Sequence, residues 1–212
     1  MGHTAVAAIT AVLLAWSTAA VAQDVRITTF KGSSTFTLNG ETFTVIRNPD
    51  TSAVITGDFA RTSRACPPDC LQPMVAATGV ATLGELEVLA FLETAVTEGR
   101  GLLIDARASD DYATGAIPGS VNIPAITLSA ENRFRKDILR ALGAVDINDE
   151  TMTFDGAMDL TFYGGGAWSS DAPDAISYLI EAGYPPSKLR FYRGGLQAWL
   201  SVGLSILLSP NG

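Results

Sequence analysis

The stretch Leu102-Leu103-Ile104-Asp105-Ala106-Arg107 constrains this chain more than any other. Three consecutive apolar residues without alternation predict a strand buried on both faces, the condition of a strand inside a parallel sheet with helices above and below. The charges that follow, Asp105 and Arg107, then fall at the carboxyl end of that strand, where open α/β sheets place their sites. The rest of the chain from residue 80 agrees. Thr82-Leu83-Gly84-Glu85 has the form of a capping box with Thr82 at the N-cap, and Leu86, Leu89, Leu92 and Val96 follow at helical spacing up to Gly99. A second helical pattern runs from about Ser129 through Phe134, Ile138 and Leu142 to Gly143. Residues 160–163 predict a strand, 173–183 a helix with Ile176, Leu179 and Ile180 inward, 189–192 a strand and 196–202 a last short helix. Helices alternating with short apolar strands predict an α/β domain with a largely parallel sheet.

Residues 23–79 read differently. Thr35-Phe36-Thr37-Leu38 and Thr42-Phe43-Thr44-Val45-Ile46 alternate around Asn39-Gly40, the strongest short-range hairpin signal. Ala53-Val54-Ile55 predicts a third strand, and a proline-rich segment runs from Cys66-Pro67-Pro68-Asp69-Cys70 to Pro73. Before this extension, an apolar run from Ala5 to Trp16 ends near the small-residue site Ala20-Val21-Ala22, the pattern of a secretory signal. It is short for a membrane span, which needs about 20 apolar residues. The organisation expected is therefore a signal segment at 1–22, a β-rich extension at 23–79 and the α/β domain at 80–212. Cleavage after Ala22 predicts an exported protein, periplasmic or secreted, with no membrane segment; a retained N-terminal anchor is the second reading.

Charge and composition exclude several functions. The chain carries 14 basic and 22 acidic side chains, a net charge of −8, with no basic run to offset it. Such a surface repels phosphate backbones, so nucleic acid is not an expected partner. The one histidine, His3, lies in the signal segment. A mature chain without imidazole has no Ser-His-Asp or Cys-His catalysis and no histidine-ligated zinc. Asp146-Ile147-Asn148-Asp149-Glu150 fails as a calcium loop, since Thr151 stands at its sixth position and Ala157 at its twelfth; it reads as a solvated turn.

Residues 102–204 resemble a rhodanese (sulfurtransferase) domain. The resemblance is carried by the 102–107 stretch, by Asp111-Tyr112, by Gly115-Ala116-Ile117-Pro118-Gly119-Ser120-Val121-Asn122-Ile123-Pro124, and by Tyr192-Arg193-Gly194-Gly195-Leu196-Gln197-Ala198-Trp199. It implies a rhodanese-like α/β fold, a parallel sheet flanked by helices, here with an N-terminal β-rich extension. Asp105 and Arg107 read as architectural ahead of catalytic, because paired charges at strand ends are common. Gly194-Gly195 reads as a device that lets the last helix start close to the sheet.

The resemblance also implies a cysteine after the strand at 160–163, which takes up sulfur as a persulfide. That chemistry needs a thiolate held at a helix N-terminus. The segment here is Tyr163-Gly164-Gly165-Gly166-Ala167-Trp168-Ser169-Ser170-Asp171. The family's cysteine position falls at Gly164, and the second cysteine position of some relatives at Ser169. Neither holds sulfur, so no catalytic residue is assigned in the loop. Ser169 and Ser170 have no histidine to activate them, Asp171 alone is a poor activator, and no lysine follows the glycines as a phosphate loop would require. Two readings stay open for Gly164, Gly165, Gly166, Ala167, Trp168, Ser169 and Ser170. One is a backbone cradle for a sulfur oxyanion or other small anion, helped by Arg107 or Arg193; the other is a loop whose chemistry has been lost.

Cys66 and Cys70 are the only thiols. In an oxidising compartment their first reading is a disulfide, at an exposed turn. A redox or persulfide-carrying role comes second. Third is a Cu(I) site, since Cys66, Cys70 and Met74 form a soft ligand set. The functional expectation is a binding or scaffolding module without classical sulfurtransferase activity, needing no cofactor and acting with a protein partner. The alternative is an enzyme of sulfur or thiol transfer that uses Cys66 and Cys70.

Overall fold

The computed structural model describes residues 25–148 and 151–208; the signal segment expected at 1–22 lies outside the described residues. In chain order, β1 (Ser33–Leu38) and β2 (Glu41–Ile46) form an antiparallel hairpin. Its two turn residues, Asn39 and Gly40, both take positive φ, as a turn that follows the twist of the strands demands. Next come β3 (Ala81–Thr82), α1 (Glu85–Phe91) continued by a wider helical turn through Val96, β4 (Gly101–Asp105), α2 (Ser109–Thr114) and β5 (Ser120–Asn122). Then follow α3 (Arg135–Ala141), the short pair β6 (Val145–Asp146) and β7 (Met152–Thr153), β8 (Asp159–Tyr163), α4 (Asp171–Glu181), β9 (Leu189–Tyr192) and α5 (Gly195–Ser201).

Five strands make one sheet in the order β3-β9-β8-β4-β5, and every pairing in it is parallel. The rhodanese-like α/β architecture is thus present. Successive strand residues feed opposite cores. Ile104, Leu160, Phe162 and Phe191 join Leu139 of α3 and Ala172, Ile176 and Leu179 of α4 on one face. Leu103, Tyr163 and Tyr192 join Val88, Leu89, Leu196 and Trp199 on the other. Leu102 and Ile104 of β4 pack into one core and Leu103 into the other, which is why 102–104 is apolar without alternation.

The hairpin belongs to the second core. Phe36 and Val45 are buried among the side chains of α1, α5 and the sheet. The Phe36 ring lies where a side chain on Gly119 would go. Ser34 donates to Glu93 at 2.6 Å, and the Arg47 guanidinium donates to the Val202 carbonyl at 2.9 Å. The change of periodicity near residue 80 is a change of local structure, and the core runs across it.

Several local expectations need correction. Ala53-Val54-Ile55 is not a strand, and Val54 is 79% exposed. The end of β2 is occupied instead by the C-terminal segment: Ser205 N–H donates to the Ile46 carbonyl at 2.9 Å, and Arg47 bridges Leu204. The capping box lies two residues later than expected, with the Gly84 N–H donating to the Glu87 carboxylate at 3.0 Å. Thr82 is drawn into β3 by its pairing with Phe191, which leaves Leu86 exposed. The helix expected from Ser129 begins only at Arg135, because the Asn132 side chain accepts the Phe134 N–H at 3.1 Å, a local bond that competes with helix. Phe134 is accordingly exposed.

If the hairpin is part of the core, Phe36→Ala should remove about 3–5 kcal/mol from the stability of the whole chain. Urea unfolding followed by far-UV and near-UV signals should show one transition, shifted to lower urea. A two-step transition with an unaltered second step would mean that the hairpin folds apart from the sheet.

Candidate functional site

The loop 164–170 leaves the carboxyl end of β8 and leads into α4. Its shape is set by the start of α5. Leu196 and Gln197 donate their backbone N–H groups to the carbonyls of Gly164 (3.0 Å) and Gly165 (2.9 Å). Gly195 makes this approach possible: its φ is +58°, and a Cβ there would stand 2.5 Å from the Gly164 carbonyl oxygen. The close approach read from Gly194-Gly195 is therefore an approach to this loop.

The three loop glycines are filled from within. A Cβ on Gly164 would lie 2.7 Å from the Ser169 hydroxyl. That hydroxyl is buried and donates to the Asp171 carboxylate at 2.5 Å. Cβ atoms on Gly165 and Gly166 would lie 2.7 and 2.6 Å from the Trp168 indole. The indole N–H donates to the Gln197 side-chain oxygen at 2.8 Å. The glycines seat an indole and a hydroxyl, and the small residues are needed for that fit.

A strap from the extension covers this arrangement. Gln72 N–H donates to the Ala167 carbonyl at 2.9 Å. The Arg64 guanidinium lies over the Trp168 ring at 3.7 Å, its side chain only 5% exposed and paired with Asp58 at 2.8 Å. Gln197 donates to the Phe59 carbonyl at 2.8 Å. Arg193 donates to the Gln72 carbonyl at 3.0 and 2.8 Å. Beside the strap, a groove of about 1650 Å³ lies between residues 46–60 and α5 and reaches Ala167.

The cysteines sit within the strap, and they are bonded to each other. Cys66, Pro67 and Pro68 are exposed and Cys70 is half-buried, as a surface turn predicts. Met74 is exposed, but bonded sulfurs offer no thiolates for the Cu(I) set, and no cluster of three metal-ligating side chains is found among the described residues.

The domain model that matches residues 88–202, more than half of the chain, is described as a rhodanese-like domain. The chain belongs to the rhodanese-like family. A search of the curated proteins found no match. Among solved structures, a Rhodopseudomonas palustris protein described as a possible tyrosine phosphatase is 20% identical, with a TM-score of 0.44 over 62% of this chain and 88% of its own. A human single-domain sulfurtransferase is 24% identical, with a TM-score of 0.40 over 57% of this chain and 96% of its own. A rhodanese-related protein from Thermoplasma volcanium is 17% identical, with a TM-score of 0.41 over 61% of this chain and 99% of its own. The family assignment rests on the domain match, and no activity follows from structural likenesses this weak.

In this rhodanese-like domain the two arginines suggested for an anion point elsewhere. Arg107 forks onto Asp105, with its Nε 2.9 Å from one carboxylate oxygen and its Nη2 2.5 Å from the other. It also donates to the carbonyls of Gly115 (2.7 Å) and Asp111 (3.3 Å). Both side chains are buried. Burial works against the guanidinium's charge, but the Asp105 hydrogen bonds and charge prevail and raise its pKa. Arg193 holds the strap. The loop's own field is acidic: burial first, then the charges of Asp105, Asp111 and Asp174, raise the Asp171 pKa against the lowering effect of the Ser169 hydroxyl.

Arg64, Gln72 and Gln197 were not singled out from the sequence. Gln197 lies inside the family stretch and was open to notice. Arg64 and Gln72 give no local sign of their place at the loop, because the partners they meet there, Trp168, Ala167 and Arg193, are far away along the chain.

Two outcomes follow. Removing one member of a buried pair leaves the other uncompensated, so Arg107→Ala should cost about 3–5 kcal/mol by urea titration. A loss under about 1 kcal/mol would show the pair to be worth no more than an exposed one. For Asp171, a folded pKa above the unfolded value makes the protein bind a proton more tightly when folded. Its contribution is then fully present below the unfolded pKa and is lost as pH rises through the folded one. Asp171→Asn, which mimics the protonated form, should flatten that fall in a pH series of melting temperatures; an unchanged slope would remove Asp171 as its source.

Proposed function

We propose that this protein is an exported, non-catalytic member of the rhodanese-like family that works as a binding or scaffolding module. The observation that supports this reading is the state of position 164. Taking it, by resemblance, as the position of the family's cysteine, it has no side chain, and the space such a side chain would enter holds the Ser169 hydroxyl. A persulfide needs a thiolate, and the chain's only two cysteines, Cys66 and Cys70, are bonded to each other in the strap. The serine offers no substitute. Ser169 is buried, its partner is a single carboxylate with no histidine between them, and Trp168 and the strap lie over the loop.

The test is sulfur transfer from thiosulfate to cyanide by the chain beginning after Ala22. Turnover at background is expected. Turnover that persists after replacing both Cys66 and Cys70 would overturn the reading. A second reading, sulfur or thiol transfer through Cys66 and Cys70, is favoured by one fact: the segment bearing them is the segment docked on the loop. Turnover lost on replacing either cysteine would select it.

Position 164 can also be probed directly. A thiol introduced by Gly164→Cys would be forced against Ser169, so its alkylation by iodoacetamide should be slow. Adding Ser169→Ala should speed the reaction by about tenfold, the equivalent of relieving a modest overpacking. Equal rates in the two variants would show that Ser169 does not fill the position.

A further inference from the structure

The strap is fastened on both sides of its disulfide. Ahead of the bridge, Gln197 holds the Phe59 carbonyl and Arg64 lies on Trp168. Behind it, Gln72 holds Ala167, and Arg193 holds Gln72. Between these points the bridge draws the Cα atoms of Cys66 and Cys70 to 4.6 Å. Four residues of free chain can span about 13–14 Å. The bridge, together with the turn hydrogen bonds from Asp69 N–H to the Ala65 carbonyl and from Cys70 N–H to the Pro68 carbonyl, takes up slack between two sets of contacts. These end on the loop, on the helix that shapes it, or on Arg193 just before that helix.

We propose that the Cys66–Cys70 bridge is a redox latch: its reduction by a dithiol loosens the strap and uncovers Trp168 and the loop 164–170. The proposal rests on the reading of the protein as a binding module, takes the covered loop as its binding surface, and concerns its regulation. Exposure makes Cys66 the accessible sulfur. A thiolate of the reductant attacks it, the S–S electron pair leaves on Cys70, and that thiolate takes up a proton. The reductant's second thiol then displaces the Cys66 sulfur, which is protonated in turn. The protein gains two thiols and the dithiol becomes a disulfide, a two-electron exchange. The closed loop is very short, so little chain entropy is released and the effect stays local. The sheet, whose cores hold no cysteine, is not involved.

The test is amide hydrogen exchange of the whole mature chain, oxidised and then reduced with dithiothreitol. Reduction should speed exchange at Gln72 and through residues 164–170 by about tenfold, while β4 and β8 keep their rates, as local opening requires. Unchanged exchange at Gln72 would overturn the proposal. So would acceleration in β4 and β8 as well, since the bridge would then be a global staple. The Cys66→Ser/Cys70→Ser variant should exchange like the reduced protein whether or not dithiothreitol is present; exchange like the oxidised protein would also overturn it. None of these outcomes depends on sulfur transfer, so failure of the latch and failure of the non-catalytic reading are told apart.

Discussion

One buried ion pair organises the carboxyl edge of the sheet. Asp105 ends β4, and Arg107, two residues on, folds back onto its carboxylate. The remaining guanidinium donors reach α2 and the turn after it, at Asp111 and Gly115. Asn122 at the end of β5 donates to the carbonyls of Asp105 and Arg107. Tyr163, ending β8, accepts the Ile117 N–H at 3.1 Å and shares a 3.0 Å hydrogen bond with Ser120. Burial, and after it the Asp105 charge, drive the pKa of that phenol upward, so it stays protonated. Such a pair is weak as a source of stability, because desolvation offsets most of the attraction, but each partner makes the other indispensable. It holds the ends of three adjacent strands in one arrangement, and the loop after β8 starts from there.

The same loop is closed from two further directions. The last helix begins on Gly195 and turns its first free N–H groups onto the loop carbonyls, so groups that could have bound a ligand's oxygen bind the protein instead. From the other side the extension contributes Gln72 and Arg64. Asp171, the first residue of α4, follows the loop directly and takes the Ser169 hydroxyl as its partner.

Much of the fold was legible because its signals are local. An apolar run without alternation, helical spacing in α1 and α4, and Asn-Gly between two alternating runs each report on a few consecutive residues. So do the two cysteines four residues apart and the paired glycines before α5. Two of the misreadings were local patterns that lost to distant partners. Val54 lost its neighbouring strand edge to Ser205, and Thr82 was drawn into the sheet by Phe191 rather than capping α1.

The sequence by itself determined the parallel sheet, the hairpin, the family and the absence of sulfur from the loop, since these depend on residue type and short-range order. It left the three glycines of the loop ambiguous between an anion cradle and a lost site. Only the tertiary structure decided what fills them. The indole of Trp168, the Ser169 hydroxyl and the strap arrive there through contacts between segments that are far apart in the chain. Glycine offers no side chain whose chemistry could announce such a partner. What it permits is close approach, and the identity of the approaching group is a property of the folded chain alone.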